Sequence, residues 1–125
     1  MILQPFSDAH SDCAGFSGFP PLIEGVDAIV VAGDTRQGLA ASLTELRAAY
    51  PRPVEILMVA GNHEFWGFVW SREVDEGRRV AEKLGIRFME AQAVTLGRLR
   101  VLGCTLWTTY DAYGESLRPA AMRSA

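Results

Sequence analysis

The sequence has few of the residues that mark several common classes of protein. Its 125 residues include only two cysteines, Cys13 and Cys104, and their separation matches no metal-binding or redox spacing. Two cysteines do not make a disulfide framework, so we expect free thiols and a cytoplasmic protein. The amino-terminal segment lacks a basic leader, and no apolar run approaches the roughly 20 residues that span a bilayer. We therefore expect no membrane association.

An excess of positive charge is missing as well. Twelve Lys and Arg residues stand against 15 Asp and Glu residues, and the net charge of −3 provides no basic field for sequence-independent binding to nucleic acid. Hydrophobic residues make up 49% of the chain and charged residues 22%, a composition typical of a globular protein with a hydrophobic core. No repeat, linker or low-complexity segment divides the chain, so residues 1–125 are treated as one domain.

Short apolar runs alternate with amphipathic patterns, which predicts an α/β fold. Strands are predicted for residues 1–7, 28–33 and 54–61, because these runs are compact, and the second and third are apolar on both faces. A helix between the second and third strands stops before Pro51 and has one apolar stripe, formed by Leu39, Leu43, Leu46 and Tyr50. A second helix is predicted within residues 68–84, with its stripe on Trp70, Val74, Gly77, Ala81 and Leu84.

Three further apolar segments follow, at residues 86–90, 93–96 and 99–107. Gly97 and Arg98 have the character of a tight hairpin turn, so we expect the later strands to be antiparallel. Pro5 is the one local exception in the strand pattern, because proline is normally excluded from a central strand.

Polar residues follow the last apolar residue of each of the first three strands. Asp8 and His10 follow the first, Asp34 the second, and Asn62 and His63 the third. Because the carboxyl ends of parallel strands share one edge of a sheet, we expect these five side chains to converge. Carboxylate and imidazole together suit a divalent transition metal such as Mn or Zn. A bridging carboxylate is typical of a two-metal site for phosphoryl transfer.

The segments "DAH", "GD" and "GNHE", in this order, resemble the D-x-H, G-D and G-N-H-D/E motifs of the calcineurin-like metallophosphoesterase family. The resemblance implies that Asp8 and His10 bind a first metal ion and that Asp34 bridges to a second. It implies that Asn62 binds the second ion and that His63 contacts the phosphate as general acid. It also implies two divalent ions (Mn, Zn or Fe) and a two-sheet β-sandwich flanked by helices.

Two departures limit what the resemblance implies. Gln37 stands where the family often has a second aspartate. The family completes its site with further histidines, typically one alone and then a G-H-x-H pair, whereas this chain's only histidines are His10 and His63. The second ion would then rest on Asp34 and Asn62 alone. The sequence therefore resembles the N-terminal portion of a family domain that is incomplete at the C-terminus.

The function that the resemblance implies is a metal-dependent phosphoesterase that uses water activated by two metal ions. Phosphodiesters are slightly favoured as substrates, since "DAHSD" and "GDTRQG" lack the features of the family's protein phosphatases. The alternative is a catalytically inactive member or fragment that uses the fold as a protein-interaction surface. An uncovered sheet edge, with Trp66 and Trp70, would favour self-association.

Some polar and aromatic neighbours of these motifs have simpler interpretations. Glu64 is interpreted as a structural or supporting carboxylate rather than a metal ligand. Asp12 and Arg36 are interpreted as loop charges, although Arg36 lies where it could reach a phosphate oxygen. For the aromatic cluster we favour packing against the sheet or a further chain segment over stacking on a substrate; its members are Phe65, Trp66, Phe68 and Trp70.

Overall fold

The computed structural model describes residues 1–124 and has a mixed α/β architecture. The regular elements, in chain order, are β1 (Leu3–Phe6), β2 (Ala28–Ala32), α1 (Leu39–Ala49), β3 (Glu55–Val59), α2 (Trp70–Leu84), β4 (Arg87–Phe88), β5 (Gln92–Leu96), β6 (Leu99–Gly103) and α3 (Arg118–Ser124). Short 3₁₀ turns lie at His63–Phe65 and Glu115–Leu117. Within residues 1–124, no helix combines the length and the apolar character that crossing a membrane requires.

Four parallel strands form the main sheet, in the order β1-β2-β3-β4. The first three predicted strands are confirmed, and each ends one or two residues before its polar motif begins. Pro5 pairs in register with Val30 but lies in β1, an edge strand, where proline is tolerated.

Helix α1 packs its predicted apolar stripe against the sheet. The four residues of the stripe, Leu39, Leu43, Leu46 and Tyr50, are all buried in one core that includes Ile29 and Val31 of β2 and Ile56 and Met58 of β3. The helix predicted between the second and third strands is confirmed, and it connects two parallel strands across one face as a β-α-β unit.

Helix α2 packs beside α1 on the same face. A side chain at Gly77 would collide with Leu39, so the glycine allows the two helices to approach closely. The buried carboxylate of Glu73 accepts a hydrogen bond of 2.6 Å from the backbone N–H of Leu39 at the start of α1. Val74 and Ala81 of the predicted stripe are buried, whereas Trp70, in the first turn, is 46% exposed.

The hairpin β5–β6 packs on the other face of the sheet. Its strands are antiparallel, and Gly97 and Arg98 form the turn between paired Leu96 and Leu99, as predicted. Its apolar side contacts a small second core around Ala28, Leu57 and Met89. Helices α1 and α2 thus cover one face of the sheet, and the hairpin covers part of the other.

The sequence-based prediction is wrong at two places in the second half of the chain. β4 pairs parallel with β3, because α2 returns the chain in the same direction. The strand predicted for residues 99–107 ends at Gly103. Beyond it the backbone N–H of Thr105 donates to the side chain of Glu90 at 3.2 Å, so a carboxylate takes the place of a neighbouring strand.

Candidate metal centre

The segments that follow β1 and β2 run side by side beyond the edge of the sheet. The backbone N–H of Asp8 donates to the carbonyl of Gly33 at 3.1 Å, and that of His10 donates to the carbonyl of Asp34 at 3.0 Å. These bonds extend the pairing of the two strands past their last residues. They hold the side chains of the first motif next to that of the second.

Asp8, His10 and Asp34 form one group of possible metal ligands. One ligand atom from each lies within 4.8 Å of the others. Asp8 is exposed and the other two are half-buried, so the group is open to solvent on one side. Two carboxylates and an imidazole are a donor set that Mn, Zn and Fe accept. The structure thus brings together Asp8, His10 and Asp34, which the sequence predicts to bind metal.

The backbone of these three residues is unusual. The φ angles of Asp8, His10 and Asp34 are 54°, 44° and 53°. These values lie in the left-handed region, which residues other than glycine rarely adopt. Among residues 1–124 they are three of six non-glycine residues with positive φ. Such conformations are unfavourable and persist only where the surrounding structure enforces them. They concentrate at binding and catalytic sites. Here they coincide with the residues that the sequence motifs single out.

Glu64 joins the ends of β2 and β3 from inside the protein. Its side chain is fully buried and accepts backbone N–H bonds from Asp34 at 3.0 Å, Thr35 at 2.7 Å and Gly61 at 2.8 Å. Asp34 in turn accepts a bond of 2.9 Å from the N–H of His63 through Oδ1. Glu64 is therefore a structural carboxylate that fixes the loops carrying Asp34 and His63.

Two glycines permit the close approach of these loops. A side chain at Gly61 would collide with the carboxylate of Asp34, and one at Gly33 would collide with the backbone at Gly61. Gly33 also has a φ of 82°, which favours glycine. Gly33 of the second motif and Gly61 of the third are thus required by packing at the site itself.

His63 is buried and is held by a carboxylate. Its side chain is 7% exposed, and its Nε2 lies 3.1 Å from Oδ1 of Asp12. Asp12 also accepts the backbone N–H of Gln37 at 2.9 Å through Oδ2. This backbone bond, with a further contribution from His63, holds the pKa of Asp12 below its ordinary value. Asp12 is therefore ionised at neutral pH.

Asp12 is a charged loop residue, as interpreted, but the sequence analysis missed its contact with His63. Its contact with His63 joins residues 51 positions apart, and the sequence offers no signal for it beyond a carboxylate two residues after His10. Since an ionised carboxylate only accepts hydrogen bonds, Nε2 of a neutral His63 must donate, and Nδ1 then carries the lone pair. That Nδ1 is buried and has no hydrogen-bond partner.

Asn62 and Arg36 have separate surroundings in the structure. Asn62 is exposed at the start of the 3₁₀ turn, and its side chain makes no capping hydrogen bond. Arg36 forms an ion pair with Glu45 of α1, which agrees with its interpretation as a loop charge.

The aromatic cluster is only partly buried. Phe65 is 8% exposed and belongs to the core, whereas Trp66, Phe68 and Trp70 are between 46% and 55% exposed, so burial is observed for Phe65 alone. The ring centroids of Trp66 and His63 are 4.4 Å apart. An exposed aromatic surface therefore borders the candidate site.

Comparison of the chain with protein-family models found no match, and comparison with curated proteins found none either.

Proposed function

We propose that this chain carries the metal- and phosphate-binding strand ends of a metal-dependent phosphoesterase of the calcineurin-like type. The observation that carries the proposal is the group of Asp8, His10 and Asp34, whose ligand atoms lie within 4.8 Å of one another at the carboxyl ends of two parallel strands. The hairpin on the second face of the sheet supports the two-sheet sandwich that the resemblance implies. The free thiols of Cys13 and Cys104 support a cytoplasmic location.

The residues divide between two ions. Asp8 and His10 would hold the first, Asp34 would contact both, and Asn62 would offer its amide oxygen to the second. When bound, the ions would polarise phosphoryl oxygens and lower the pKa of water. The second ion would have only two ligands from this set, so full coordination needs further donors.

His63 is proposed as the general acid that protonates the departing oxygen of the ester. Asp12 orients the ring through a contact of 3.1 Å between its Oδ1 and Nε2 of His63. Trp66 borders the ring and presents an exposed apolar face, which suits an organic group on the far side of the phosphate. This arrangement supports a phosphodiester as the substrate slightly over a phosphoprotein.

Metal binding by Asp34 is the first test. Calorimetric titration of metal-free protein with Mn²⁺ should give saturable binding, and Asp34→Asn should weaken it at least tenfold. Asparagine keeps the size of the side chain and tolerates positive φ, so the variant removes the charge alone. Asp75→Asn on the exposed surface of α2 is the matched control and should bind like the original chain. Unchanged binding in Asp34→Asn would refute the proposed site.

A second candidate function is a protein-interaction surface without catalysis. The half-exposed Trp66, Phe68 and Trp70 favour it, because apolar clusters of this kind mark contact sites. The small number of histidines favours it as well. The buried His63 paired with Asp12 argues against it, since an interaction surface does not require such a pair.

A further inference from the structure

A second group of possible ligands lies beside the first and contains a thiol. One ligand atom from each of His10, Cys13 and His63 lies within 4.8 Å of the other two. Cys13 is three residues after His10, and a turn closed by the bond from its N–H to the carbonyl of His10 brings the pair together. His63 comes from a distant part of the chain, so no sequence spacing could have indicated the group.

An unpartnered nitrogen in this group gives an independent indication of a ligand. His63 is 5% exposed, and its Nδ1 is buried without a hydrogen-bond partner, while its Nε2 is taken by Asp12. Histidines that bind metal generally donate their other ring N–H to a carboxylate, which fixes the tautomer and raises the basicity of the ligating nitrogen. Asp12 accepts such a bond from Nε2 of His63, and an ion would satisfy Nδ1, the nitrogen that remains.

We propose that His10, Cys13 and His63 form a thiolate-containing metal site that binds Zn²⁺ or a similarly thiophilic divalent ion. Two imidazoles and a thiolate make a donor set that zinc prefers, with a fourth position left for water. Cys13 is exposed, so an ion can reach the group from solvent. The carboxylate-rich group of Asp8, His10 and Asp34 suits harder ions such as Mn²⁺ better.

The two groups share His10, so they compete for it. An ion held by Cys13 would draw His10 away from Asp8 and Asp34 and would occupy the nitrogen of His63. Zinc at this site would therefore inhibit the chemistry proposed above. This inhibition rests on the proposed function, whereas the thiolate site itself does not.

Titration of the metal-free, reduced chain with Co²⁺ tests the site by spectroscopy. A thiolate bound to Co²⁺ gives a charge-transfer band in the near ultraviolet that oxygen and imidazole ligands do not give. We expect a saturable band, which one equivalent of Zn²⁺ abolishes. Cys13→Ser should remove the band, and Cys104→Ser, at the other free thiol, should keep it. Circular dichroism of each variant checks that the fold is retained.

Three further variants separate this proposal from the proposed function. His63→Gln should weaken Co²⁺ binding at least tenfold, and Asp12→Asn should weaken it about 10- to 100-fold, as loss of a carboxylate behind a histidine ligand does. Asp34→Asn should keep the band even where it loses Mn²⁺ binding. A band that persists in Cys13→Ser, full affinity in His63→Gln, or no thiolate band at saturating Co²⁺ would overturn the proposal.

Discussion

At the residue scale, Glu64 has the clearest energetic role. Its fully buried carboxylate accepts three backbone N–H groups from two loops. Glu64→Ala should lower the free energy of unfolding by about 3 kcal/mol or more, because each buried N–H left without a partner costs roughly 1–3 kcal/mol. Urea denaturation followed by tryptophan fluorescence measures the change. The control Glu76→Ala removes only an ion pair with Arg79 on α2 and should change stability by less than about 0.5 kcal/mol. Equal losses in the two variants would contradict this role.

The residues of the site differ in how far the sequence predicts them. Asp8, His10 and Asp34 could be placed together, since each follows a strand and parallel strands end at a common edge. Asp12 could not, because its contact with His63 depends on the path of a loop that has no periodic pattern. The sharing of His10 between two ligand groups depends on that loop too, because it is the loop that brings Cys13 to the site.

At the element scale, Tyr50 couples the end of α1 to the long loop between β1 and β2. Its hydroxyl donates to the carbonyl of Pro20 at 2.7 Å, and its ring packs near Phe6 and Phe19. Burial raises the pKa of Tyr50 above its ordinary value. Because the folded-state pKa is raised, the neutral phenol contributes stability that is fully present below about pH 10 and is lost as the pH rises through the folded-state pKa.

Tyr50→Phe should therefore flatten the loss of stability above about pH 10, although it lowers stability at neutral pH by removing the bond to Pro20. Urea denaturation at several pH values between 8 and 11 measures both effects. Tyr113→Phe, at a tyrosine that is 88% exposed, should leave the pH dependence unchanged. The same steep alkaline loss in Tyr50→Phe and in the original chain would show that ionisation of Tyr50 is not its cause.

Most elements follow from patterns of burial, and the failures have local causes. The apolar runs predict the strands of the sheet, and the apolar stripe predicts that α1 packs on it. Each pattern is readable because the spacing of its apolar residues matches the face that the element buries. The end of β6 was missed because the side chain of Glu90, distant in sequence, takes over the hydrogen bonds of Thr105. The parallel pairing of β4 was missed because only two of its residues pair, too few to show a pattern.

At the scale of the whole molecule, the two faces of the sheet are covered unequally. Helices α1 and α2 cover one face, whereas the hairpin leaves a groove of about 450 Å³ on the other, lined in part by Val30, Val59 and Leu102. The sheet edges are poor templates for pairing, since β1 contains Pro5 and β4 has two residues. Self-association, expected from the sequence at an open edge and around Trp66 and Trp70, is therefore less favoured at the edges and stays a prediction for the exposed tryptophans.

The whole chain should have little or no phosphoesterase activity by itself. Two-metal catalysis needs both ions in fixed geometry. The second ion would have only Asp34 and Asn62, and would exchange readily into solvent. With excess Mn²⁺, turnover of bis(4-nitrophenyl) phosphate and of 4-nitrophenyl phosphate should not exceed that of Mn²⁺ alone. The mass in solution, measured on the same samples, identifies the species responsible for any turnover. Metal-dependent turnover by a monomer, abolished by His63→Ala, would show that the three motifs suffice for activity. If that turnover favoured the monoester, the proposal of a phosphodiester substrate would be refuted as well.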